Sequence, residues 1–200
     1  MTGYSKPKTI SDEEWEKQKE DRFLKNNDFL FNLQDRFKGM PKEDIISTLR
    51  REETKAAVLM VNFEGDFNIG GVFRSGNCFN FSEMFYFGKK KRDKRGEVGV
   101  FNYSNIQFLD TFEKVKDLKN KYHFVALENN FGETKNIIDY VWKPNSLILV
   151  GSESNGIAKE FLEICDDFIE IPMFGTCRSF NAASAASIAM YDYIAKSKRL

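Results

Sequence analysis

The chain has 200 residues and a mass of 23.2 kDa, which suits one principal domain with at most a small appendage. Thirty Lys and Arg residues balance thirty Asp and Glu residues, so the net charge is zero and a uniformly cationic protein that coats nucleic acid is excluded. The 42% apolar content supplies a core, while 30% charged residues argue against a membrane protein.

The cysteine and histidine counts exclude several further classes. Cys78, Cys165 and Cys177 are odd in number and lack CxxC spacing, and His123 is the only histidine. These counts argue against a disulfide framework, a zinc site or a metal site built from several histidines. The first residues lack the apolar run of a signal peptide, and no stretch reaches the roughly 18 apolar residues of a membrane span. We therefore expect a cytoplasmic protein with neither a metal nor a membrane partner.

Residues 1–56 have the pattern of a small helical extension. A capping box begins at Ser11, and two further helical patterns end before Gly39 and follow Pro41. Twelve basic and twelve acidic residues in this segment are typical of solvated helices that cover a main domain. RNA docking and dimer contacts are the alternatives.

From Ala57 onward, short apolar runs alternate with helical patterns. Most runs are continuous, as expected for strands covered on both faces. The pattern predicts an α/β domain over residues 57–200, with a mainly parallel sheet flanked by helices. Strands are predicted at 58–61, 84–87, 124–127, 147–150 and 168–171, and helices at 69–80, 111–121, 157–164 and 179–197.

The turn after the first predicted strand contains a candidate ligand site, because such sheets bind ligands beyond the carboxyl ends of their strands. Asn68 is a plausible helix N-cap, and Gly70 with Gly71 lowers the helix propensity of the following turn. Close approach of another backbone or of a ligand would explain both glycines. Arg74 lies among apolar neighbours and needs an anionic partner, either a carboxylate in a structural salt bridge or a phosphate.

Two later turns are also unusual. Residues 151–156, with the sequence GSESNG, follow a predicted strand, and their backbone amides could hold a small ligand. Many loops between strands and helices are rich in Gly and Ser, so this turn alone is weak evidence. Residues 171–181 lead into a helix whose small-residue face predicts very close packing. Ser179 and Asn181 in that turn could act only as caps.

A basic run follows the second predicted strand. Residues 89–96 carry six positive charges and one negative charge, and the remaining segments are neutral or acidic. The run is either a solvated loop or a loop that binds phosphates. The candidate RNA-binding residues are Lys89, Lys90, Lys91, Arg92, Lys94 and Arg95. GxGxxG and P-loop motifs are missing from the sequence, which argues against a dinucleotide site and excludes a Walker-type nucleotide site.

Taken as an ordered set, the three turns resemble the motifs of the SpoU, or TrmH-like, family of RNA ribose 2'-O-methyltransferases in the SPOUT superfamily. The resemblance covers roughly residues 57–197. The matching residues are Asn62, 68–70 and Arg74 for the first motif, 147–156 for the second, and 171–173 with 179–181 for the third. Phe180 replaces the usual Leu of the third motif, and Asp66-Phe67 stands where a Pro-Gly-like pair is common.

The resemblance implies a deep C-terminal trefoil knot, S-adenosylmethionine bound in that knot, and a homodimer with shared active sites. It implies methyl transfer to a ribose 2'-hydroxyl of RNA. Compact members of the family often act on tRNA, so we favour tRNA slightly over rRNA as the substrate. The competing hypotheses are a non-catalytic knotted protein that binds or assembles RNA and an unrelated α/β phosphate-binding enzyme.

The resemblance also assigns residues. The implied catalytic residues are Asn68, Arg74, Glu153, Ser179 and Asn181. The implied cofactor-binding residues are Leu149, Val150, Gly151, Gly156, Ile171, Pro172, Met173, Ser179, Phe180 and Asn181. Because a guanidinium stays protonated, we expect Arg74 to clamp phosphate and polarise the hydroxyl, with base catalysis as the alternative. Glu153 would orient Arg74 or its own loop.

Overall fold

The computed structural model describes residues 11, 33–63, 66–90, 95–129, 131–152 and 155–197. The chain forms two compact units, Met1–Met40 and Pro41–Leu200. In the first unit the structure describes a 3-10 turn at Asp35–Phe37. The helix predicted to follow Ser11 lies outside the described residues.

The second unit contains the helices and strands of an α/β fold. The helix predicted after Pro41 is confirmed, and its acidic first turn and basic last turn complement the helix dipole. The helices are α1 (Lys42–Glu52), α2 (Asp66–Cys78), α3 (Phe112–Asp117), α4 (Lys159–Leu162) and α5 (Ala182–Lys196). The strands are β1 (Ala57–Phe63), β2 (Glu83–Gly88), β3 (Ile106–Leu109), β4 (His123–Leu127), β5 (Lys135–Asn136), β6 (Ser146–Val150) and β7 (Asp167–Glu170).

The seven described strands form one sheet in the order β3-β2-β1-β6-β4-β7-β5, and every neighbouring pair is parallel. The predicted parallel sheet is therefore confirmed. All strands point the same way, so their last residues lie at one edge of the sheet and their first residues at the opposite one. We call these the carboxyl edge and the amino edge.

Helices cover both faces of the sheet, which explains the continuous apolar runs. Val58 and Met60 of β1 belong to the core cluster that includes residues of α2 and α5. Leu59 and Val61 belong to the cluster on the other face, with residues of α3 and α4. Burial of each such side chain contributes roughly 1.5–3 kcal/mol, so the central strands are strongly stabilised on both sides.

Several predicted boundaries were wrong. Sequence reasoning missed β3 and β5, which have only four and two residues. The predicted helix 111–121 ends as an α-helix at Asp117 and continues as a 3-10 turn over Leu118–Asn120. Helix α2 starts at Asp66, so Asn68 lies inside its first turn and is not the N-cap.

Helix α2 packs very closely against its surroundings, as its glycines predicted. A Cβ added to Gly70 would lie 2.8 Å from the backbone of Gly96, and one added to Gly71 would lie 3.2 Å from Cβ of Ala183 in α5. Ser75 and Ser187 join the same two helices through hydroxyl groups 2.8 Å apart. Close backbone approach therefore explains the two glycines and the small residues of α5. No helix among the described residues has both the length and the apolar character that crossing a membrane requires.

Candidate active site

A cavity of about 580 Å³ opens at the carboxyl edge, between the ends of β4, β6 and β7 and the start of α5. Its size is within the range of small-molecule sites, roughly 300–1,000 Å³. Its walls combine apolar side chains with polar groups and exposed backbone. The lining residues used below are Glu128, Asn129, Phe131, Val150, Gly151, Ser152, Gly156, Glu170, Ile171, Met173, Arg178, Ser179 and Phe180.

Seven of the ten residues that the resemblance assigned to a cofactor line this cavity. They are Val150, Gly151, Gly156, Ile171, Met173, Ser179 and Phe180. Leu149 is fully buried in the core on the α3 and α4 side of the sheet, and Asn181 caps α5. Pro172 is half-buried between two residues that line the cavity.

The loop after β6 is folded so tightly that only glycine fits at its first position. A Cβ on Gly151 would overlap the backbone of Gly156. The N–H of Ser152 donates to the carbonyl of Gly156 at 3.1 Å, and the N–H of Gly156 donates back to the carbonyl of Ser152 at 2.8 Å. Gly156 itself has a φ of +61°, which an L side chain rarely adopts. Glu153 lies outside the described residues.

The segment after β7 is tied to two other elements. Nδ2 of Asn129, just beyond β4, donates to the carbonyl of Arg178 at 3.1 Å. Oδ1 of Asn181 accepts from the N–H groups of Ala183 and Ser184, at 3.1 and 3.2 Å. The predicted capping role of Asn181 is therefore confirmed, and the cap fixes where α5 begins.

Asn181 also joins two of the sequence motifs. Its Nδ2 donates to Oδ1 of Asn68 in the first turn of α2 at 2.9 Å. The side-chain oxygen of Asn181 therefore caps the helix, while the side-chain nitrogen donates to a residue 113 positions earlier in the chain. This bond places the first and third motifs beside each other at the carboxyl edge.

Arg74 lies on α2 and is exposed. Within the described part of the chain, its guanidinium has no carboxylate partner and no hydrogen bond. The structural salt bridge considered for Arg74 is therefore not found among these residues. An exposed guanidinium with free donors can bind a phosphate or another anion.

The basic run begins at the carboxyl edge. Lys89 and Lys90 are exposed directly after β2, and the Tyr86 hydroxyl donates to the carbonyl of Lys90 at 3.3 Å. Residues 91–94 lie outside the described residues. The described chain resumes at Arg95, and the backbone of Gly96 lies against Gly70 of α2. Both described ends of the run are thus close to elements that carry motif residues.

Sequence reasoning missed the residues that follow β4. Glu128, Asn129 and Phe131 line the cavity, and Glu170 at the end of β7 lines it too. Oε1 of Glu128 accepts from the N–H of Asn129 at 2.9 Å. The rule that ligands bind beyond strand ends would have identified these positions had it been applied to every predicted strand.

A second polar cluster lies at the amino edge. Nε2 of His123 is 2.7 Å from Oδ2 of Asp167, Nζ of Lys135 is 2.6 Å from its Oδ1, and the Tyr140 hydroxyl donates to Oδ2 at 2.9 Å. Burial opposes ionisation of Asp167, but the hydrogen bonds from Lys135, His123 and Tyr140 outweigh it and lower its pKa to about 2. The single histidine therefore belongs to a network whose groups bond one another.

Known proteins resemble this chain in sequence and in fold. The chain is similar to tRNA (guanosine(18)-2'-O)-methyltransferase of Aquifex aeolicus, with 24% identity over 149 residues that cover 72% of this chain and 71% of that enzyme. Its fold resembles the A. aeolicus TrmH/SpoU tRNA modifying enzyme, with a TM-score of 0.69, 21% identity and coverage of 79% and 83% of the two chains.

A third similarity is to the SpoU methyltransferase AviRb from Streptomyces viridochromogenes in complex with the cofactor AdoMet. The TM-score is 0.64 at 23% identity, and the match covers 70% of this chain and 57% of AviRb. At such identities the two structural matches concern the fold alone. The model of the SpoU rRNA Methylase family matches residues 55–191, well over half of the chain. The chain therefore belongs to the SpoU rRNA Methylase family.

Proposed function

We propose that the chain is an S-adenosylmethionine-dependent methyltransferase that modifies a ribose 2'-hydroxyl of structured RNA. The observation that carries this proposal is the convergence of three sequence motifs at the carboxyl edge. The bond between Asn68 and Asn181 joins the first and third motifs, and the loop after Gly151 lines the same cavity as Ser179.

The cavity fits the cofactor in size and in the chemistry of its walls. Gly151 and Gly156 line the cavity without side chains of their own, and Ile171 and Met173 supply an apolar wall. When bound, S-adenosylmethionine supplies an activated methyl group. Val150, Gly151, Gly156, Ile171, Met173, Ser179 and Phe180 would surround it, while Leu149, Pro172 and Asn181 would hold these neighbours in place.

The chain's own polar residues would align the RNA and manage the proton of the 2'-hydroxyl. Arg74 would clamp an RNA phosphate and polarise the hydroxyl, because its guanidinium is exposed and stays protonated. Asn68 and Asn181 would fix the position of α2 relative to the cavity. Ser179 would contribute a hydroxyl at the cavity wall, and Glu153 would orient Arg74 or the loop after β6. Alignment of reactants can supply a large part of the rate enhancement.

The basic run is proposed to bind RNA phosphates. Its candidate residues remain Lys89, Lys90, Lys91, Arg92, Lys94 and Arg95. Lys89 and Lys90 are exposed beside the carboxyl edge, which supports this assignment. Cations in this position can bind phosphates of an RNA whose ribose lies at the proposed active site.

We also propose that the C-terminal part of the domain forms a trefoil knot. The support is topological, because β6 is inserted between β1 and β4, and the chain then returns from β7 to place α5 against α2. The family to which the chain belongs makes this arrangement the expected one.

A homodimer is the oligomeric state that we propose. Ile188 and Tyr191 are exposed on α5, and the Tyr191 ring lies 6.2 Å from that of Phe79. Apolar side chains on one helix surface fit a second copy of the chain, which would bring part of each active site from the partner. Light scattering of the purified protein tests this state, and a monomeric mass would contradict it.

Transfer RNA is the substrate class that we favour. The similarity to a tRNA methyltransferase extends over 71% of that enzyme. The family description names rRNA methylases, so ribosomal RNA is the alternative substrate.

Two measurements test the proposed function. Calorimetry should detect binding of S-adenosylmethionine and of its demethylated product, and absence of both signals would contradict the assignment. Mapping ribose methylation in total RNA from cells with and without the gene should show one lost site or a few. An unchanged map, together with intact RNA binding, would instead favour a non-catalytic protein that binds or assembles RNA.

A further inference from the structure

The segment between β7 and α5 displays aromatic rings and one cation, and part of the segment lines the cavity. Phe174 is 95% exposed, the highest value among the large hydrophobic residues that the structure describes. Phe180 is 42% exposed and lines the cavity, as does the exposed Arg178. We call Phe174, Arg178 and Phe180 the loop platform.

The backbone of this segment is anchored at Arg178 and at Asn181. Asn129 holds the carbonyl of Arg178, and Asn181 caps α5 while it bonds Asn68. Arg178 and Phe180 therefore lie on a stretch with defined anchors, and Phe174 precedes that stretch. Preorganised display lowers the entropic cost of binding a ligand.

The space beside Phe174 is open. A Cβ added to the neighbouring Gly175 would meet no atom within 4 Å, and Gly175 does not have the positive φ that favours glycine. Neither crowding nor backbone strain therefore accounts for the glycine. A flat ligand could approach the Phe174 ring from this side without displacing any part of the described structure.

We propose that the loop platform stacks an unpaired nucleobase of the RNA, next to the nucleotide whose ribose is methylated. This inference rests on the proposed function and specifies the kind of RNA that the site accepts. Aromatic faces and guanidinium planes are the groups that bind splayed-out bases, because each base offers a π face once it is unstacked. A base inside a duplex has both faces covered by its neighbours, so the platform would select loops or other single-stranded positions.

The charge of the segment favours RNA over a second protein surface. Within residues 171–181, Arg178 is the only charged residue, while the carboxylates of Glu128 and Glu170 belong to the cavity wall. Arg178 also lines the cavity, so this cation lies at the proposed methyl-donor site, four positions along the chain from Phe174. An Arg beside an aromatic ring can bind the phosphate and the base of one nucleotide together.

The experiment uses a single-stranded RNA of about 12 nucleotides, a length within the range of known single-strand sites, with 2-aminopurine at one position. Binding is measured by fluorescence anisotropy, and stacking by quenching of 2-aminopurine, with S-adenosylhomocysteine present. Phe174→Ala should weaken binding about tenfold, the loss expected for one base stack, and should reduce quenching. Phe174→Trp should retain both. Val141→Ala is the matched control, because Val141 is 84% exposed and is not among the residues that line the cavity.

Three outcomes would overturn the platform. The first is a failure to see the effect in binding: either the wild-type protein does not bind the oligonucleotide, or Phe174→Ala binds it with an affinity within about twofold of wild type. A second is an equal loss for the same RNA hybridised into a duplex. A third is a fall to monomer mass in light scattering of Phe174→Ala, which would assign the ring to a second copy of the chain.

The same protein samples separate this inference from the proposed function. Wild-type protein that stacks the probe through Phe174 but neither binds S-adenosylmethionine nor methylates RNA would contradict only the proposed function. Wild-type protein that methylates RNA, with Phe174→Ala equal to it in turnover, KM and probe binding, would contradict only the platform.

Discussion

The two edges of the sheet use charged residues in opposite ways. At the amino edge, Glu83 accepts hydrogen bonds from Lys121, Tyr122 and Gln107, and these bonds outweigh its burial and lower its pKa. Asp167 is bonded in the same way. On α2, which begins at the carboxyl edge, Arg74 has no carboxylate partner among the described residues.

This difference separates stability from function. Charges that bond one another stabilise the fold, and removing one leaves its partners unsatisfied. Exposed cations without protein partners contribute little to folding, so substitutions there should change ligand binding or turnover and leave stability intact. Substitutions at Arg74, Gly151, Asp167 and Asn181 test whether the molecule divides in this way.

The largest expected effect is on turnover and comes from Arg74 on α2. Arg74→Ala should lower the rate of RNA methylation about 100-fold or more, the typical loss of one group that stabilises charge in a transition state. Cofactor affinity and the unfolding midpoint should stay at wild-type values, because Arg74 does not line the cavity and is exposed. Labelled methyl transfer and calorimetry measure these quantities.

Arg50→Ala is the control for Arg74, since Arg50 is an exposed arginine in the last turn of α1. It should match wild type in all three assays. Wild-type turnover in Arg74→Ala would show that the guanidinium has no part in the reaction.

The second effect is on cofactor binding. Gly151→Ala should weaken it about 10- to 100-fold, because relief of the overlap with Gly156 costs roughly 1–3 kcal/mol and moves the loop after β6. Gly175→Ala is the matched control, because its Cβ would enter open space. Calorimetry with S-adenosylhomocysteine measures both variants, and equal affinities would place the cofactor elsewhere.

Sequence reasoning predicted the carboxyl edge better than it predicted the amino edge. Continuous apolar strands such as β1 and β6 gave a clear signal because they are buried on both faces, and the first two motifs begin at the ends of these strands. The strand β5 escaped because two residues cannot establish a period, and β3 was overlooked although it has four residues, as β7 does.

Contacts between distant residues could not be predicted at all. Asn68 and Asn181 each had a local explanation as a helix cap, and that explanation was wrong for Asn68. Their mutual bond spans 113 positions and depends on how α2 and α5 pack. The bonds of His123 and Asp167 likewise join β4 to β7 and follow from strand order.

The third effect is on stability at the amino edge. Asp167→Asn should lower the free energy of unfolding by about 2 kcal/mol, because a charged acceptor of three side-chain hydrogen bonds is lost. Methylation at saturating substrate should be unchanged. Asp110→Asn is the control, because Asp110 forms an exposed pair with Lys114 that contributes little.

The stability that Asp167 contributes should depend on pH with a defined sign. Its pKa is lowered to about 2 in the folded chain, below the value of 3.8 for an unperturbed Asp. The contribution is therefore present above about pH 4 and is lost as the pH falls towards 2. Urea unfolding from pH 5 to pH 2 should show a shallower decline for Asp167→Asn than for wild type, and parallel curves would contradict the assignment.

The smallest expected effect on stability comes from Asn181, where both kinds of role meet in one side chain. Its oxygen caps α5 and its nitrogen holds Asn68. Asn181→Ala removes both and should cost about 1 kcal/mol of unfolding free energy. Asn181→Asp keeps an oxygen for the cap, in a position where the helix dipole favours negative charge, but it has no N–H to donate to Asn68. Its unfolding midpoint should stay within about 2 °C of wild type, while turnover falls severalfold. Equal stability losses in the two variants, or wild-type turnover in Asn181→Asp, would show that the bond to Asn68 does not align the carboxyl edge for the reaction.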